Sequence, residues 1–292
     1  MRRIPVGQTL RDAYMFAGAN LGGIIGLIWV SMVMLTVAQF FTSFRFYNDF
    51  IEFMASGNSA HMGPAMLMMI SYLVALLLLN AVMFTAVVQL ALGARTATGL
   101  LHFAFGPLEW RMFRAFFALA GLLLLLAITI LIAANVLAVV VPHVPVTALA
   151  VLGIPVIFAL ALARFLVLLP AIAVSETAPT LRRAWTLSAG NFLPLLGVLL
   201  GLFVPLLMVM GTIERQVGEK ADFMLGSATQ LQITAAAINA RQILPLMCGL
   251  NFLFSPLFIG LLAGASVSAW RVLKDEPAAL DIAADYEPAR TL

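Results

Sequence analysis

Arg164 is the one ionisable side chain that the sequence embeds in an apolar stretch, and it offers the clearest chemistry in the chain. It lies in ALARFLVLLPAIAV, and a charge at the centre of a membrane helix costs about 2.5–3.5 kcal/mol on insertion scales. A cation at that cost needs a partner, and three interpretations are open. Arg164 can snorkel to lipid phosphate, pair with Glu176 or Glu109, or bind a lipid headgroup or an anionic substrate.

Two matching segments carry further cationic candidates. Residues 9–21 read TLRDAYMFAGANL and residues 180–192 read TLRRAWTLSAGNF, so that Thr, Leu, Arg, Ala and Asn recur at a constant offset. Chance gives roughly one identity in such a window, and we therefore expect an internal repeat. The basic residues available for lipid phosphates are Arg11, Arg182 and Arg183.

Helical spacing predicts how these segments lie. In the first segment it gives one side made of Leu10, Ala13, Tyr14 and Ala17, which we expect to face lipid while the segment lies at the membrane interface. The alternative is that each segment merely extends the membrane span that follows it. A kink near residues 18–20 and near residues 190–194 would favour the interfacial form. A fainter third copy lies at residues 101–105.

A second chemistry to consider is metal binding near the start of the second apolar stretch. His61, Met62 and Met66 lie in HMGPAMLMM, and soft thioether ligands suit Cu(I). Methionine is also an adaptable apolar filler, and the chain has 15 methionines. We therefore predict no metal site and keep this cluster as the alternative.

The chain lacks the sequence motifs of common enzymes and has few residues suited to acid–base or metal chemistry. It has three histidines, one cysteine and no Walker loop, GxSxG or HExxH motif. Its net charge of +3 comes from Lys and Arg that are spread along the chain rather than gathered into a basic face. We therefore expect a non-enzymatic protein that uses no cofactor and binds no nucleic acid.

The elements that must position these residues are apolar helices. The chain is 63% hydrophobic and 10% charged, with a mean hydropathy of +1.07, which is too apolar for a soluble domain. A span needs about 20 apolar residues, and continuous apolar runs predict helices rather than a barrel. Six stretches qualify: residues 21–41, 65–92, 115–141, 146–169, 193–212 and 243–269.

The basic residues predict the orientation of these stretches. Eleven of the 16 Lys and Arg residues fall on one side, and the positive-inside rule places that side, with both termini, in the cytoplasm. The sequence predicts an all-α integral membrane protein of three hairpins, each preceded by a cytoplasmic interfacial helix. Residues 1–273 form one domain, with repeat units at about 1–93, 94–174 and 175–273, and residues 274–292 form a disordered tail.

Small residues recur at four-residue spacing in two of the stretches. Such ridges let helix backbones approach closely in a membrane. We expect them to pack within the chain, and a dimer interface is the alternative. The two ridges are Gly18, Gly22 and Gly26 near the first stretch and Gly260, Gly264 and Ser268 in the last.

Residues 164–197 resemble a family of bacterial six-span membrane domains. The family pattern is an arginine–aromatic pair, Pro-Ala-Ile, an acidic residue, and a basic-Ala-Trp segment ending in Asn. The chain matches it at Arg164, Phe165, Pro170, Glu176, Arg183, Trp185 and Asn191. The family is similar to the membrane domain fused to some glycerophosphodiester phosphodiesterases. The resemblance implies structural roles for Pro170, Trp185 and Asn191, and for Asn20 as the counterpart of Asn191. It implies no catalytic activity.

These observations predict a multi-pass protein of the bacterial inner membrane. We expect it to interact with lipid or to act as a scaffold or accessory protein in the cell envelope. Its expected partners are membrane lipids and either a second copy of the chain or another membrane protein. The alternative is a small-solute or lipid transporter with Arg164 as the anion contact. A cavity that reaches Arg164 would favour the transporter, whereas a packed bundle with a broad apolar flank would favour lipid binding.

Overall fold

A computed structural model describes residues 3–58, 60, 62–94, 105–140, 146–174, 185, 188, 190–218 and 230–274. The regular structure in these ranges is helical, which confirms the predicted all-α class. The helices are α1 (Val6–Ala19), α2 (Leu21–Ser56), α3 (Met62–Leu92), α4 (Pro107–Val140), α5 (Val146–Phe165), α6 (Leu168–Val174), α7 (Phe192–Gly218) and α8 (Gln230–Lys274).

Six segments of these helices are long and apolar enough to cross a membrane. They coincide with the six stretches that hydropathy predicts, and α5 and α6 together supply the fourth. This confirms the multi-pass membrane class by length and composition. The six segments are Leu21–Ser56, Met62–Leu92, Pro107–Ala133, Val156–Val174, Phe192–Val209 and Thr234–Leu273.

Helices α2 and α8 are longer than a membrane requires. With 36 and 45 residues, they extend about 54 Å and about 68 Å, whereas the hydrocarbon layer is about 30 Å thick. They run antiparallel, because Ile24 lies against Gly260 near one end and Arg241 donates a hydrogen bond to the Asn48 Oδ1 at 2.7 Å near the other. The carboxyl-terminal part of α2 and the amino-terminal part of α8 therefore continue together beyond the length of a span.

Buried apolar side chains form two clusters between the helices. The first joins α2, α3, α4, α5, α6 and α8 and includes Ile28, Val87 and Ile259. The second joins α1, α5, α7 and α8 and includes Leu195 and Leu261. In lipid, such clusters stabilise a bundle through close packing rather than through exclusion of water.

The chain leaves helical geometry at Asn20, between α1 and α2. Asn20 has φ −110° and ψ 11°, and both its backbone N–H and its side-chain Nδ2 donate to the Phe16 carbonyl at 3.0 Å. A similar interruption precedes α7, where Gly190 has φ +81°, a conformation that favours glycine. The chain therefore departs from continuous helix at both places where a kink would favour the interfacial form.

The predicted lipid-facing side of α1 is wrong in this structure. Ala13 and Ala17 are fully buried against Gly264 and Gly260 of α8. Leu10 lies against Gly201 of α7. The small residues explain the difference, because alanine and glycine let two helix backbones approach closely. Residues 9–17 thus turn one face to protein, and the hydroxyl-bearing Tyr14 beside that face stays 43% exposed.

The two glycine ridges have different surroundings. Gly260 and Gly264 pack against α1, as predicted, and a Cβ atom on Gly264 would lie 3.1 Å from the Ala13 Cα. Around Gly18, Gly22 and Gly26, in contrast, no described atom beyond the adjoining helix backbone lies within 4 Å of an added Cβ. The expectation of packing within the chain is met by the ridge of α8 and not by the ridge that enters α2.

Pro170 explains why α5 and α6 are separate helices. Proline lacks a backbone N–H, and its ring clashes with the carbonyl four residues earlier. That carbonyl belongs to Leu166, and the chain turns at residues 166 and 167. Pro170 is buried within α6. The structural role implied by the family resemblance therefore has a physical basis: Pro170 ends the helix that carries Arg164.

Some predicted features lie outside the described residues. They include the tail from residue 275 onward, most of the second matching segment, and residues 101–104 of the fainter third copy. The proposed repeat units and the disordered tail stay predictions.

Candidate functional site

The Arg164 side chain lies over two aromatic rings. Its Cζ atom is 4.5 Å from the ring centroid of Trp185 and 4.7 Å from that of Phe192. A guanidinium within about 6 Å of a ring centroid is attracted by the negative face of the ring, by about 0.5–1 kcal/mol at exposed sites and about 2 kcal/mol when desolvated. Aromatic rings are thus the described neighbours of the cation. We call these three residues the Arg164 cluster.

Glu109 is not the partner of Arg164. Its buried carboxylate accepts a hydrogen bond from the backbone N–H of Gly106 at 2.9 Å. This contact satisfies a backbone donor at the start of α4, as an acidic residue in a first helical turn commonly does. The described contacts of Glu109 thus lie within its own helix start, and the alternative in which Glu109 pairs with Arg164 is not realised in this structure. Glu176, the other predicted carboxylate partner, lies outside the described residues.

Two hydrogen bonds link described residues that lie between the two rings of the cluster along the chain. The Ser188 hydroxyl donates to the Trp185 carbonyl at 3.1 Å, and the Asn191 backbone N–H donates to the Ser188 carbonyl at 3.2 Å. Ser188 and Asn191 are both buried. Trp185 and Phe192 are therefore held in a fixed relation by a tight turn that includes the left-handed Gly190.

Asn191 also connects this turn to the start of the chain. Its Oδ1 accepts a hydrogen bond from the backbone N–H of Ile4 at 3.0 Å, and Ile4 is itself buried. A buried backbone N–H without a partner is costly. Asn191 therefore ties the beginning of α1 to the beginning of α7.

The donors of the Arg164 guanidinium suit an anionic ligand. A guanidinium carries five N–H donors in one plane, and their fork geometry matches carboxylate and phosphate oxygens. The aromatic rings attract the charge but accept none of the conventional hydrogen bonds those donors form. Trp185 is 54% exposed, so the cluster reaches the protein surface. A phosphate or carboxylate at that surface can accept hydrogen bonds from the guanidinium N–H groups.

Arg11 lies elsewhere on the surface of α1. It is exposed and borders an open depression of about 600 Å3 together with Gly7, Gln8, Asp12 and Met15. The Asp12 carboxylate accepts a hydrogen bond from the Ser268 hydroxyl at 2.9 Å, which joins α1 to α8. The structure gives no contact between Arg11 and the Arg164 cluster.

Several predicted site residues cannot be located relative to the cluster. Arg182, Arg183 and His61 lie outside the described residues. Of the two methionines beside His61, Met66 is exposed and Met62 is half-buried at the start of α3. Across the part of the chain that the structure describes, no group of three or more His, Cys, Asp or Glu side chains could hold a metal ion.

A polar group near the far ends of α2 and α8 was missed from the sequence. Arg45 and Asp49 form an ion pair of 3.0 Å, with the Asp49 side chain 5% exposed, and the Arg241 Cζ lies 6.0 Å from the Phe44 ring centroid. The i,i+4 spacing of Arg45 and Asp49 was a usable signal. The contact between Arg241 and Asn48 joins residues 193 positions apart, and no local pattern predicts it.

Comparison with protein-family models, with curated proteins and with solved structures gives no match for this chain. The resemblance of residues 164–197 to the six-span family therefore stays a prediction. Positions that carry it nevertheless have physical roles here: Pro170 ends α5, Asn191 anchors α1, and Trp185 contacts Arg164.

Proposed function

We propose that this chain is a non-enzymatic protein of the bacterial cytoplasmic membrane that binds anionic lipid at the Arg164 cluster. The observation that carries the proposal is the Arg164 guanidinium over Trp185 and Phe192, with Trp185 half exposed. In a membrane, lipid phosphate is the abundant anion within reach of an arginine near a helix end. We further propose that lipid binding serves a scaffolding or accessory role in the cell envelope.

A broad apolar surface supports lipid contact along the rest of the molecule. Large hydrophobic side chains of α4 and α7 are exposed, and such a flank suits acyl chains. The two buried clusters fill the space between the helices with apolar side chains. This packing supports lipid binding rather than a polar path for a solute. The exposed side chains include Phe117, Leu124, Leu125, Leu207 and Met208.

The proposal includes a topology in which both termini are cytoplasmic and the six spans form three hairpins. The excess of basic residues on one side supports the orientation. The break at Asn20 supports α1 as a helix separate from the first span. In this arrangement the start of α7, and with it the Arg164 cluster, lies near the cytoplasmic leaflet, where anionic lipids attract basic side chains. We also propose kinship with the six-span family.

Native mass spectrometry of the protein released from membranes tests the lipid site. We expect phosphatidylglycerol to remain bound to the wild type and to Arg164→Lys, and to be reduced about tenfold or more in Arg164→Leu, because a charge-assisted contact contributes about 1.5–3 kcal/mol. Arg241→Leu is the matched control. Arg241 is also an arginine over an aromatic ring, but it lies in the amino-terminal part of α8, beside the carboxyl-terminal part of α2. Equal lipid occupancy in all four proteins would overturn the proposal.

A further inference from the structure

Pro205 interrupts the hydrogen-bond ladder inside α7. Because proline has no backbone N–H, the carbonyl four residues earlier loses its helical donor. That carbonyl belongs to Gly201. Within a membrane, a freed carbonyl is satisfied by a neighbouring helix, a side chain or a bound water. The contacts of Gly201 therefore indicate which element supports α7 at this point.

Tyr14 of α1 provides the missing donor. Its hydroxyl donates to the Gly201 carbonyl at 3.2 Å, across 187 positions of sequence. The same glycine leaves space for α1, because a Cβ atom on Gly201 would lie 2.7 Å from the Leu10 Cδ1. Gly201 thus supplies both a free acceptor and the room for α1 to reach it.

Further contacts extend from Gly201 back to the start of α7. The Val6 side chain lies against Gly197, where an added Cβ would be 3.6 Å from the Val6 Cγ1. The Ile4 backbone N–H donates to the Asn191 Oδ1. Residues 4–14 therefore follow α7 from its first turn to the carbonyl that Pro205 frees. Phe192, which contacts Arg164, lies inside this supported stretch.

We propose that Tyr14 is a positioning residue for the Arg164 cluster. By satisfying the Gly201 carbonyl, Tyr14 holds α1 along α7, and α1 in turn keeps Phe192 beside Arg164. This inference rests on the proposed lipid site. Docking of α1 and binding of anionic lipid are then coupled, so that each favours the other by the same factor.

Tyr14→Phe removes the hydroxyl and keeps the ring. We expect phosphatidylglycerol, titrated into the delipidated full-length protein, to bind about threefold more weakly, the size of an average interhelical hydrogen bond in a membrane protein. Pro205→Ala restores a helical donor for the Gly201 carbonyl. In the Pro205→Ala background, Tyr14→Phe should therefore leave lipid affinity unchanged. A merely structural role for the Tyr14 ring does not predict this rescue.

Pro256→Ala is the matched control, because Pro256 also lies inside a long helix but frees a carbonyl of α8. Tyr14→Phe should still weaken lipid binding about threefold in the Pro256→Ala background. The same loss in the Pro205→Ala background would overturn the inference. If Arg164→Leu abolishes lipid binding and Tyr14→Phe has no effect, the site stands and the positioning role falls.

A second readout tests docking of α1 without lipid. The pair Val6→Cys and Gly197→Cys, in a Cys248→Ser background that removes the native cysteine, reports α1 docking through its rate of disulfide formation. Tyr14→Phe should slow this rate in the protein with Pro205 and leave it unchanged after Pro205→Ala. If the lipid site itself fails, this result still decides the role of Tyr14: equal rates with and without the hydroxyl would refute it.

Discussion

The two matching segments carry an aromatic residue at the same position and use it differently. Tyr14 of the first segment donates its hydroxyl to the Gly201 carbonyl, whereas the Trp185 ring of the second lies over the Arg164 guanidinium. Tyrosine combines an apolar ring with a hydrogen-bond donor, and tryptophan offers the ring face that best attracts a cation. One position in the sequence thus supports a helix in one segment and contacts a charge in the other.

The asparagines next to the last residue of each segment also make different contacts. Asn20 bonds to Phe16 within its own helix, whereas Asn191 accepts from Ile4 at the start of the chain. The first asparagine closes a helix, and the second joins the start of the chain to the second segment. As a result α1, which contains most of the first segment, packs along the helix that follows the second segment. The same residue type therefore closes a local turn in one segment and makes a long-range contact in the other, because its surroundings differ.

The largest effect is expected where the first segment meets α8. Gly264→Val places new atoms against the Ala13 backbone, which cannot move as a flexible side chain does. We expect a loss of about 3 kcal/mol in stability, at the upper end of the cost of overpacking. Thermal unfolding in nanodiscs measures it. Gly22→Val is the control with open surroundings, and equal destabilisation by both substitutions would show that the close approach of Ala13 is not the cause.

The two asparagines provide the next test. Asn191→Ala leaves the buried Ile4 N–H without its acceptor, and we expect a cost of about 2 kcal/mol. Asn20→Ala should cost less than half of that, because the Asn20 backbone N–H still bonds to the Phe16 carbonyl. Chemical denaturation of both variants checks the ratio. A larger effect at Asn20 would reverse the roles that the comparison assigns.

A smaller effect is expected from the aromatic contact of the second segment. Trp185→Leu should lower the stability of lipid-free protein by about 1 kcal/mol, because it removes a cation–π contact at a half-exposed site. In an Arg164→Leu background this contact no longer exists, so the electrostatic part of the loss should vanish. The double-mutant cycle measures the coupling directly. Strict additivity of the two substitutions would argue against the contact.

The smallest effect concerns the threonine that opens the first segment. The Thr9 hydroxyl is fully buried and has no hydrogen-bond partner in the described part of the chain. Thr9→Val replaces the hydroxyl with a methyl group of similar size, and we expect a gain of up to about 1 kcal/mol. A rise in the thermal midpoint is the predicted readout. Destabilisation would mean that the Thr9 hydroxyl has a partner after all.

The sequence predicted the parts of the fold that local physics controls. Apolar run length located the six spans, and Gly and Asn residues located the breaks near Asn20 and Gly190. The prediction that Leu10, Ala13 and Ala17 face lipid was wrong. Their spacing identifies them as neighbours on one side of α1 but does not reveal what that side contacts. Their partners, Gly201 and the ridge of α8, lie far along the chain.

The Arg164 cluster was predictable only in part. The cost of a charge among apolar residues marked Arg164 as a residue that needs partners. Its rings come from a turn whose geometry depends on Gly190 and on the buried bonds of Ser188 and Asn191. The spacing of Arg164 and Phe192 in the sequence does not predict that turn. The predicted carboxylate Glu109 was unavailable for a local reason, since it bonds at the start of α4.

The most direct test of the central claim is photocrosslinking in membranes with phosphatidylglycerol that carries its photoreactive group in the headgroup. We expect adducts concentrated on peptides that contain Trp185 or Phe192 in the wild type, and their loss in Arg164→Leu while crosslinking elsewhere persists. Adducts spread evenly over the apolar flank, unchanged by Arg164→Leu, would contradict the proposed lipid site.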